Sequence, residues 1–161
     1  ETDYHPMTDL IQDRLAKAVK SADRAYYRLV LVVGESGSGK TEVIRKYAHT
    51  LQSEIMNLNL ILSEQLLGYT KKQRALRLPG LIEDLIESEL SPIIFDNIEL
   101  LFDINLQNDP LRVLQGLARN HTIIASWNGA VSNGKLNYAA PGHPEHRVYD
   151  TSDIIIVSLN G

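Results

Sequence analysis

Residues 28–42 read Arg-Leu-Val-Leu-Val-Val-Gly-Glu-Ser-Gly-Ser-Gly-Lys-Thr-Glu, and this stretch decides the fold. An apolar run from Leu29 to Val33 meets Gly34, and positions 34–41 then follow the spacing G-x-x-x-x-G-K-T. That is the phosphate-binding loop pattern, standing where its chemistry needs it, after a strand and ahead of a helical stretch. The β-branched residues suit a strand buried on both faces, as in a parallel sheet. Glycines at 34, 37 and 39 let the backbone take positive φ and approach an oxygen-rich ligand closely. Successive N–H groups and the following helix N-terminus then form a positive concavity that fits a triphosphate. The expected contacts are Gly34, Glu35, Ser36, Gly37, Ser38, Gly39, Lys40, Thr41 and Glu42. Lys40 is expected to reach the β- and γ-phosphates, with the Thr41 hydroxyl on Mg²⁺.

A phosphate loop alone leaves open what happens to the nucleotide. The second element is Pro92-Ile93-Ile94-Phe95-Asp96-Asn97-Ile98-Glu99. A buried strand that delivers an aspartate at its carboxyl end offers Mg²⁺ a hard oxygen ligand near Thr41. Thr41 and Asp96 are thus the expected metal ligands, and ATP or ADP with Mg²⁺ the expected cofactors. ATPases of the AAA+ type usually carry Glu directly after that Asp; here the residue is Asn97, which orients water but cannot accept its proton. On a continued strand Glu99 projects to the same side as Asn97. The expectation is that Glu99 activates water while Asn97 positions it. The competing view is weak intrinsic hydrolysis, with Glu99 a surface carboxylate.

Composition bounds the alternatives. The chain has 161 residues, 43% hydrophobic and 22% charged, which suits one globular domain over 1–161 with a real core. A net charge of −4 argues against a protein that grips nucleic acid through a global basic field. Without cysteines there are no disulfides, zinc–thiolate sites or thiol nucleophile. That absence mildly favours a cytoplasmic location. No apolar run approaches the roughly 18 residues needed to span a bilayer, and no leader is visible.

Strands and helices alternate along the chain. Thr8 to about Tyr26 reads as a helix, with Thr8 as N-cap and Leu10, Ile11, Leu15, Ala18, Val19, Ala22 and Tyr26 on one stripe. This N-terminal helix, within 1–27, is expected to pack on the sheet. Tyr26, Tyr27 or Arg28 could flank an adenine, although aromatics at such junctions mostly supply buried area. Lys40 to about Leu51 continues as a helix, and Ile55 to Leu62 as a second strand with Asn57 and Asn59 as its polar members. Ser63 reads as the cap of a helix holding Leu66 and Leu67. Lys71, Lys72, Arg74 and Arg77 follow, either as a solvated helix face or as a contact for DNA or an acidic partner. Pro79–Gly80 is expected to break the chain before an amphipathic helix with Leu81, Ile82, Leu85, Ile86 and Leu90 inward. Ile93–Asp96 is the third strand; Asp109–Pro110 signs the start of a helix spanning Leu106 to Asn120. Thr122–Ser126 is the fourth strand and Ile154–Ser158 the last. Between them, 127–153 is rich in Gly, Pro and Asn and reads as a long functional or partner-facing loop. The outcome is a three-layer αβα fold with a five-stranded, mostly parallel sheet, its ligands at the carboxyl ends of the strands.

Three further groups bear on the site. Asn128, at the tip of the fourth strand, is the candidate for sensing the γ-phosphate, with Ser126 second, although Asn128–Gly129 also has the composition of a turn. An arginine from a neighbouring subunit would stabilise charge during phosphoryl transfer; Arg147 is best placed, Arg112 and Arg119 less so. His143-Pro-Glu-His146 has a spacing that suggests metal binding, but without a third ligand a loop cluster is the better reading.

Taken together, the 34–41 loop and Phe95-Asp96-Asn97-Ile98-Glu99-Leu100-Leu101-Phe102 resemble the BrxF family. The small size and the end of the chain just after the last strand add to the likeness. These are small P-loop ATPase subunits of one type of BREX (bacteriophage exclusion) system, and the likeness covers nearly the whole chain. It implies an AAA+/ASCE-like core working beside a larger ATPase, a DNA methyltransferase and an alkaline-phosphatase-like protein in antiphage defence. No helical lid of the AAA+ type is expected after the last strand, and with it no lid arginine. That favours a subunit which oligomerises or docks, and completes its site with a partner. Two other readings stay open: a small-molecule kinase, and a nucleotide-gated interaction module with little turnover.

Overall fold

The structure, a computed structural model, describes residues 6–139 and 142–159. Among the described residues five α-helices, α1 (Pro6–Ala22), α2 (Lys40–Leu51), α3 (Leu58–Gln65), α4 (Lys71–Ile86) and α5 (Pro110–Leu117), surround one sheet. Its strands are β1 (Leu29–Gly34), β2 (Ile55–Asn57), β3 (Ile93–Asp96), β4 (Ile123–Ser132), β5 (Lys135–Tyr138), β6 (Arg147–Asp150) and β7 (Ile155–Ser158). The order is β2-β3-β4-β1-β7, with parallel pairing throughout that path. β5 and β6 then extend antiparallel from the far half of β4. This is an α/β fold with a mostly parallel sheet, compatible with a P-loop NTPase.

Alternation along β1 builds both cores. Leu29, Leu31 and Val33 pack on one side with Leu58, Leu62, Leu78, Ile82, Leu111 and Leu114 of α3, α4 and α5. Val30 and Val32 pack on the other with Leu15, Ile44, Tyr47 and Ala48 of α1 and α2. A strand wholly buried on both faces is why its sequence is continuously apolar.

Several expectations are corrected. Among the described residues the sheet has seven strands and not five, because 127–138 and 147–150 are largely strand. β4 runs on through Ser132 and turns at Asn133–Gly134, both at positive φ, into a meander with β5 and β6. Gly129 makes the crossing possible: a Cβ there would collide with the Asn137 carbonyl. The second strand stops at Asn57, whose side chain accepts from the Leu60 N–H and caps α3. Leu58 and Leu62, one turn apart, are buried from that helix, so Ser63 lies inside it and caps nothing. Leu90, Leu10 and Tyr26, expected on apolar stripes, are exposed, as is Leu67. α1 starts at Pro6, which puts Thr8 inside it.

Pro79 does not break α4. Proline removes the N–H that would serve the carbonyl of Ala75, and Asn108 Nδ2 reaches that oxygen at 3.4 Å instead. The capping box at Thr70 and Gln73 fixes the start of the same helix. α5 begins only at Pro110, after two 3₁₀ turns at Glu99–Phe102 and Ile104–Leu106, because Asp109 accepts from the N–H groups of Leu111 and Arg112. No helix among the described residues is long and apolar enough to cross a membrane.

Candidate functional site

Register brings the key residues together. Gly34 of β1 lies opposite Asn128 of β4, and Asn57 of β2 opposite Asp96 of β3. β4 sits between β1 and β3, so the carboxyl ends of three adjacent strands converge on one crevice. Tyr26, Tyr27 and Arg28 precede the amino end of β1, remote from Gly34, and so do not flank this crevice. Tyr26 packs edge-on against Tyr27 and beneath the Arg119 guanidinium.

The loop has an anion cradle's backbone. Gly37 and Gly39 have φ of 83° and 98°, and a side chain at either would be strained in that left-handed region. Gly39 is also the N-cap of α2, and no side chain caps the helix there. Its first-turn N–H groups thus remain available to an anion, and the helix dipole favours one. Ser38 Oγ is buried without a hydrogen-bond partner among the described residues. Lys40 is only 7% exposed and donates from Nζ to the Glu35 carbonyl at 2.9 Å, closing the loop on itself. Burial lowers the pKa of its ammonium, against the opposing pull of Glu99 and then Asp96. A buried cation held by a single carbonyl suits exchange onto a phosphate. Glu42 points away on the exposed face of α2 and pairs with Arg45.

Asp96 is the hub of the metal side. Its Oδ2 accepts from Thr41 Oγ1 at 3.1 Å, and its Oδ1 accepts from Ser126 Oγ at 2.6 Å and from the Asn97 N–H at 3.0 Å. The hydroxyl and the carboxylate expected to share Mg²⁺ therefore touch. Hard oxygen donors grouped beside an anion cradle fit that ion. Ser126, second choice as a sensor, is committed to Asp96.

Asn97 and Glu99 do not share a strand face. β3 ends at Asp96, Asn97 turns with φ of 55° and is exposed, and Glu99 opens a 3₁₀ turn. The Glu99 carboxylate is held from both sides. Asn59 Nδ2 donates to Oε1 at 3.0 Å and Asn128 Nδ2 to Oε2 at 2.8 Å. Asn59 is itself fixed, its Oδ1 accepting from the Leu100 N–H at 2.7 Å and its N–H donating to the Asn97 carbonyl. The sequence reading missed Asn59 as a site residue. The signal was available: two asparagines interrupting an apolar run at the tip of a strand beside the Asp96 strand.

A cavity of about 510 Å³ opens beside the loop, walled by Glu35, Ser36 and Asn128 on one side and Tyr138, His143 and Glu145 on the other. The Tyr138 ring stacks on Phe102 with centroids 3.5 Å apart, and Trp127 meets Phe102 edge-on. That stack ties the meander to the 3₁₀ turn carrying Glu99. Burial, then the charges of Glu99 and Glu145, push the Tyr138 phenol above its ordinary pKa. His143 Nδ1 accepts from the Glu145 N–H, and His146 Nδ1 lies 2.9 Å from the Ala139 carbonyl. The three arginines proposed to act in trans are all engaged within the chain. Arg147 donates to the Asn108 carbonyl, Arg112 to Gln115, and Arg119 lies over Tyr26.

With this geometry in hand, comparison with known proteins gives a partial likeness. The chain is similar to the vesicle-fusing ATPase of Caenorhabditis elegans, 29% identical over 89 residues, which are 55% of this chain and 11% of that protein. It is also similar to the vesicle-fusing ATPase of Dictyostelium discoideum, 30% identical over 103 residues, 62% of this chain and 14% of that protein. This chain thus spans a small part of either relative. No protein-family model matches it, and no solved structure matches significantly. The likeness to proteins named as ATPases agrees with an ATPase-like, nucleotide-binding role.

Proposed function

We propose that the protein binds ATP with Mg²⁺ and hydrolyses it, as an AAA+/ASCE-like nucleotide-handling subunit of an antiphage defence complex. One observation carries the nucleotide part: an uncapped helix N-terminus and two left-handed glycines lie beside a hydrogen-bonded Thr41–Asp96 pair. Backbone N–H groups of the loop bind the phosphates, and Lys40 moves from the Glu35 carbonyl onto the terminal ones. Thr41 and Asp96 would hold Mg²⁺, with Ser126 orienting Asp96, and the ion would supply charge neutralisation to the phosphates. Glu99 accepts the proton of the attacking water, and Asn128 contacts the γ-phosphate. Asn97, exposed and at positive φ, is read as a turn residue in this scheme.

The defence role rests on the resemblance of 34–41 and 95–102 to the BrxF family. It brings with it a cytoplasmic location, self-association, and partners such as a larger ATPase and a methyltransferase. Nucleotide controls assembly or docking in this reading. The cavity walled by His143 and Glu145 favours a second reading, phosphoryl transfer to a small acceptor in place of water. Calorimetry with ATP and Mg²⁺, together with phosphate-release assays on wild type and Lys40→Ala, tests the proposal. Micromolar binding that Lys40→Ala abolishes, with release of inorganic phosphate, is the expected result. Unchanged affinity in Lys40→Ala overturns it, and labelled phosphate on an acceptor other than water selects the kinase reading.

A further inference from the structure

Helix α4 has a charge distribution that its own dipole opposes. Lys71, Lys72, Arg74 and Arg77 crowd its amino-terminal half, while Glu83, Asp84 and Glu87 occupy or follow its carboxyl-terminal half. A helix is stabilised by acidic groups at its start and basic ones at its end. α4 has neither an acidic residue in its first turn nor a basic one in its last. Arg74 donates to the Tyr69 carbonyl and Arg77 lies over the Tyr69 ring, but none of these charges joins an ion pair among the described residues. At helical spacing Lys72, Leu76, Gly80, Glu83 and Glu87 fall on one exposed stripe. Leu76 on that stripe is 76% exposed.

Gly80 stands at the centre of the stripe. Glycine inside a helix costs about 1 kcal/mol relative to alanine. Nothing in the fold asks for it, since a Cβ at Gly80 would meet only open space. Arg77 and Glu83 are equidistant from Gly80, and Lys72 and Glu87 nearly so. The stripe is therefore its own complement when turned end for end.

We propose that α4 is the contact between two copies of this chain, paired antiparallel about a two-fold axis at Gly80. Each basic half then lies on the partner's acidic half, and each helix dipole opposes its neighbour's. The missing Cβ at Gly80 lets the two backbones approach at the crossing. The proposal stands apart from the nucleotide reading, because no residue of the loop or of the Asp96–Glu99 segment lies on α4. The acidic half disfavours a nucleic-acid backbone along the same stripe.

Sedimentation velocity of the full chain at low and at high salt tests it. Wild type is expected to be a salt-sensitive dimer. Lys72→Glu/Arg77→Glu and Glu83→Lys/Glu87→Lys are each expected to weaken dimerisation at least about tenfold, and an equimolar mixture of the two to restore a dimer. Circular dichroism confirms that both variants are folded, as expected for exposed positions. Gly80→Leu, which keeps every charge and raises helix propensity, is expected to give the same loss. A monomeric wild type, a dimer that survives the charge reversals or Gly80→Leu, or a mixture that fails to pair overturns the proposal. So does an unchanged oligomeric state with loss of DNA binding in the acidic variant, which selects the nucleic-acid reading.

Discussion

Asn128 Nδ2 donates to Glu99 Oε2 at 2.8 Å, across the gap between the strand tip beside the phosphate loop and the 3₁₀ turn after Asp96. The carboxylate named as base is thereby tied to the amide named as phosphate sensor. Asn59 holds its other oxygen. On the proposed function, a γ-phosphate that recruits the Asn128 amide would free one side of Glu99 and so couple nucleotide to base.

Glu99→Gln keeps the shape and an acceptor for one of the two asparagine amides but loses the proton acceptor. Nucleotide affinity is expected to stay within about threefold, while phosphate release falls by about 10²–10⁴-fold. Single-turnover assays beside calorimetric titration check it. Unchanged turnover removes Glu99 from the mechanism.

Lys40 gives a pH signature. Its lowered pKa means that the free protein begins to lose this charge below the ordinary value of 10.5. A bound phosphate favours the charged form, so binding takes up a proton and affinity falls as pH rises through the lowered value. Titrations in two alkaline buffers of different ionisation enthalpy measure that uptake, and binding with no proton taken up contradicts the role assigned to Lys40.

Asn59→Ala removes the partner of the Leu100 N–H and one tether of Glu99. A stability loss of about 1–3 kcal/mol is expected, from a backbone donor left unsatisfied. Denaturant titration measures it, and an unaltered midpoint contradicts the assigned role.

Gly129→Ala places a methyl group against the Asn137 carbonyl. A loss of about 2–4 kcal/mol is expected, larger than for most single substitutions, because backbone and not a flexible side chain must move. The fluorescence of Trp127, whose Nε1 donates to that same carbonyl at 2.9 Å, reports the local change.

Tyr149 donates to Asp109 at 2.9 Å, and burial followed by that bond raises its pKa above the ordinary 10.0. A raised folded pKa contributes stability that is present below the ordinary value and lost as pH rises through the folded one. Tyr149→Phe is expected to cost about 1 kcal/mol at neutral pH. Its alkaline loss of stability is expected to be shallower than wild type, as read by thermal melts across pH 8–11.

Much was legible from the chain alone. The buried strand Leu29–Gly34, the loop after it, α2 over Lys40–Leu51 and the Asp96 strand were all readable. Each is local: continuous apolar residues mark a strand covered on both faces, and glycines mark a backbone that must bend. Asp109–Pro110 likewise announced its helix through capping chemistry confined to a few residues.

Tertiary contacts decided the rest. Pro79 was read as a break because its cost is local, whereas Asn108, which serves the abandoned carbonyl, comes from a distant turn. Residues 127–153 looked structureless because their pairing is cross-strand and their aromatic anchor, Phe102, lies elsewhere in the chain. Asn59 joined the site only when β2 was set beside β3. Sequence by itself determined which residues can bend, bury or bind. Only the packed sheet decided which of them meet, because hydrogen bonds between distant segments leave no periodic trace in the chain.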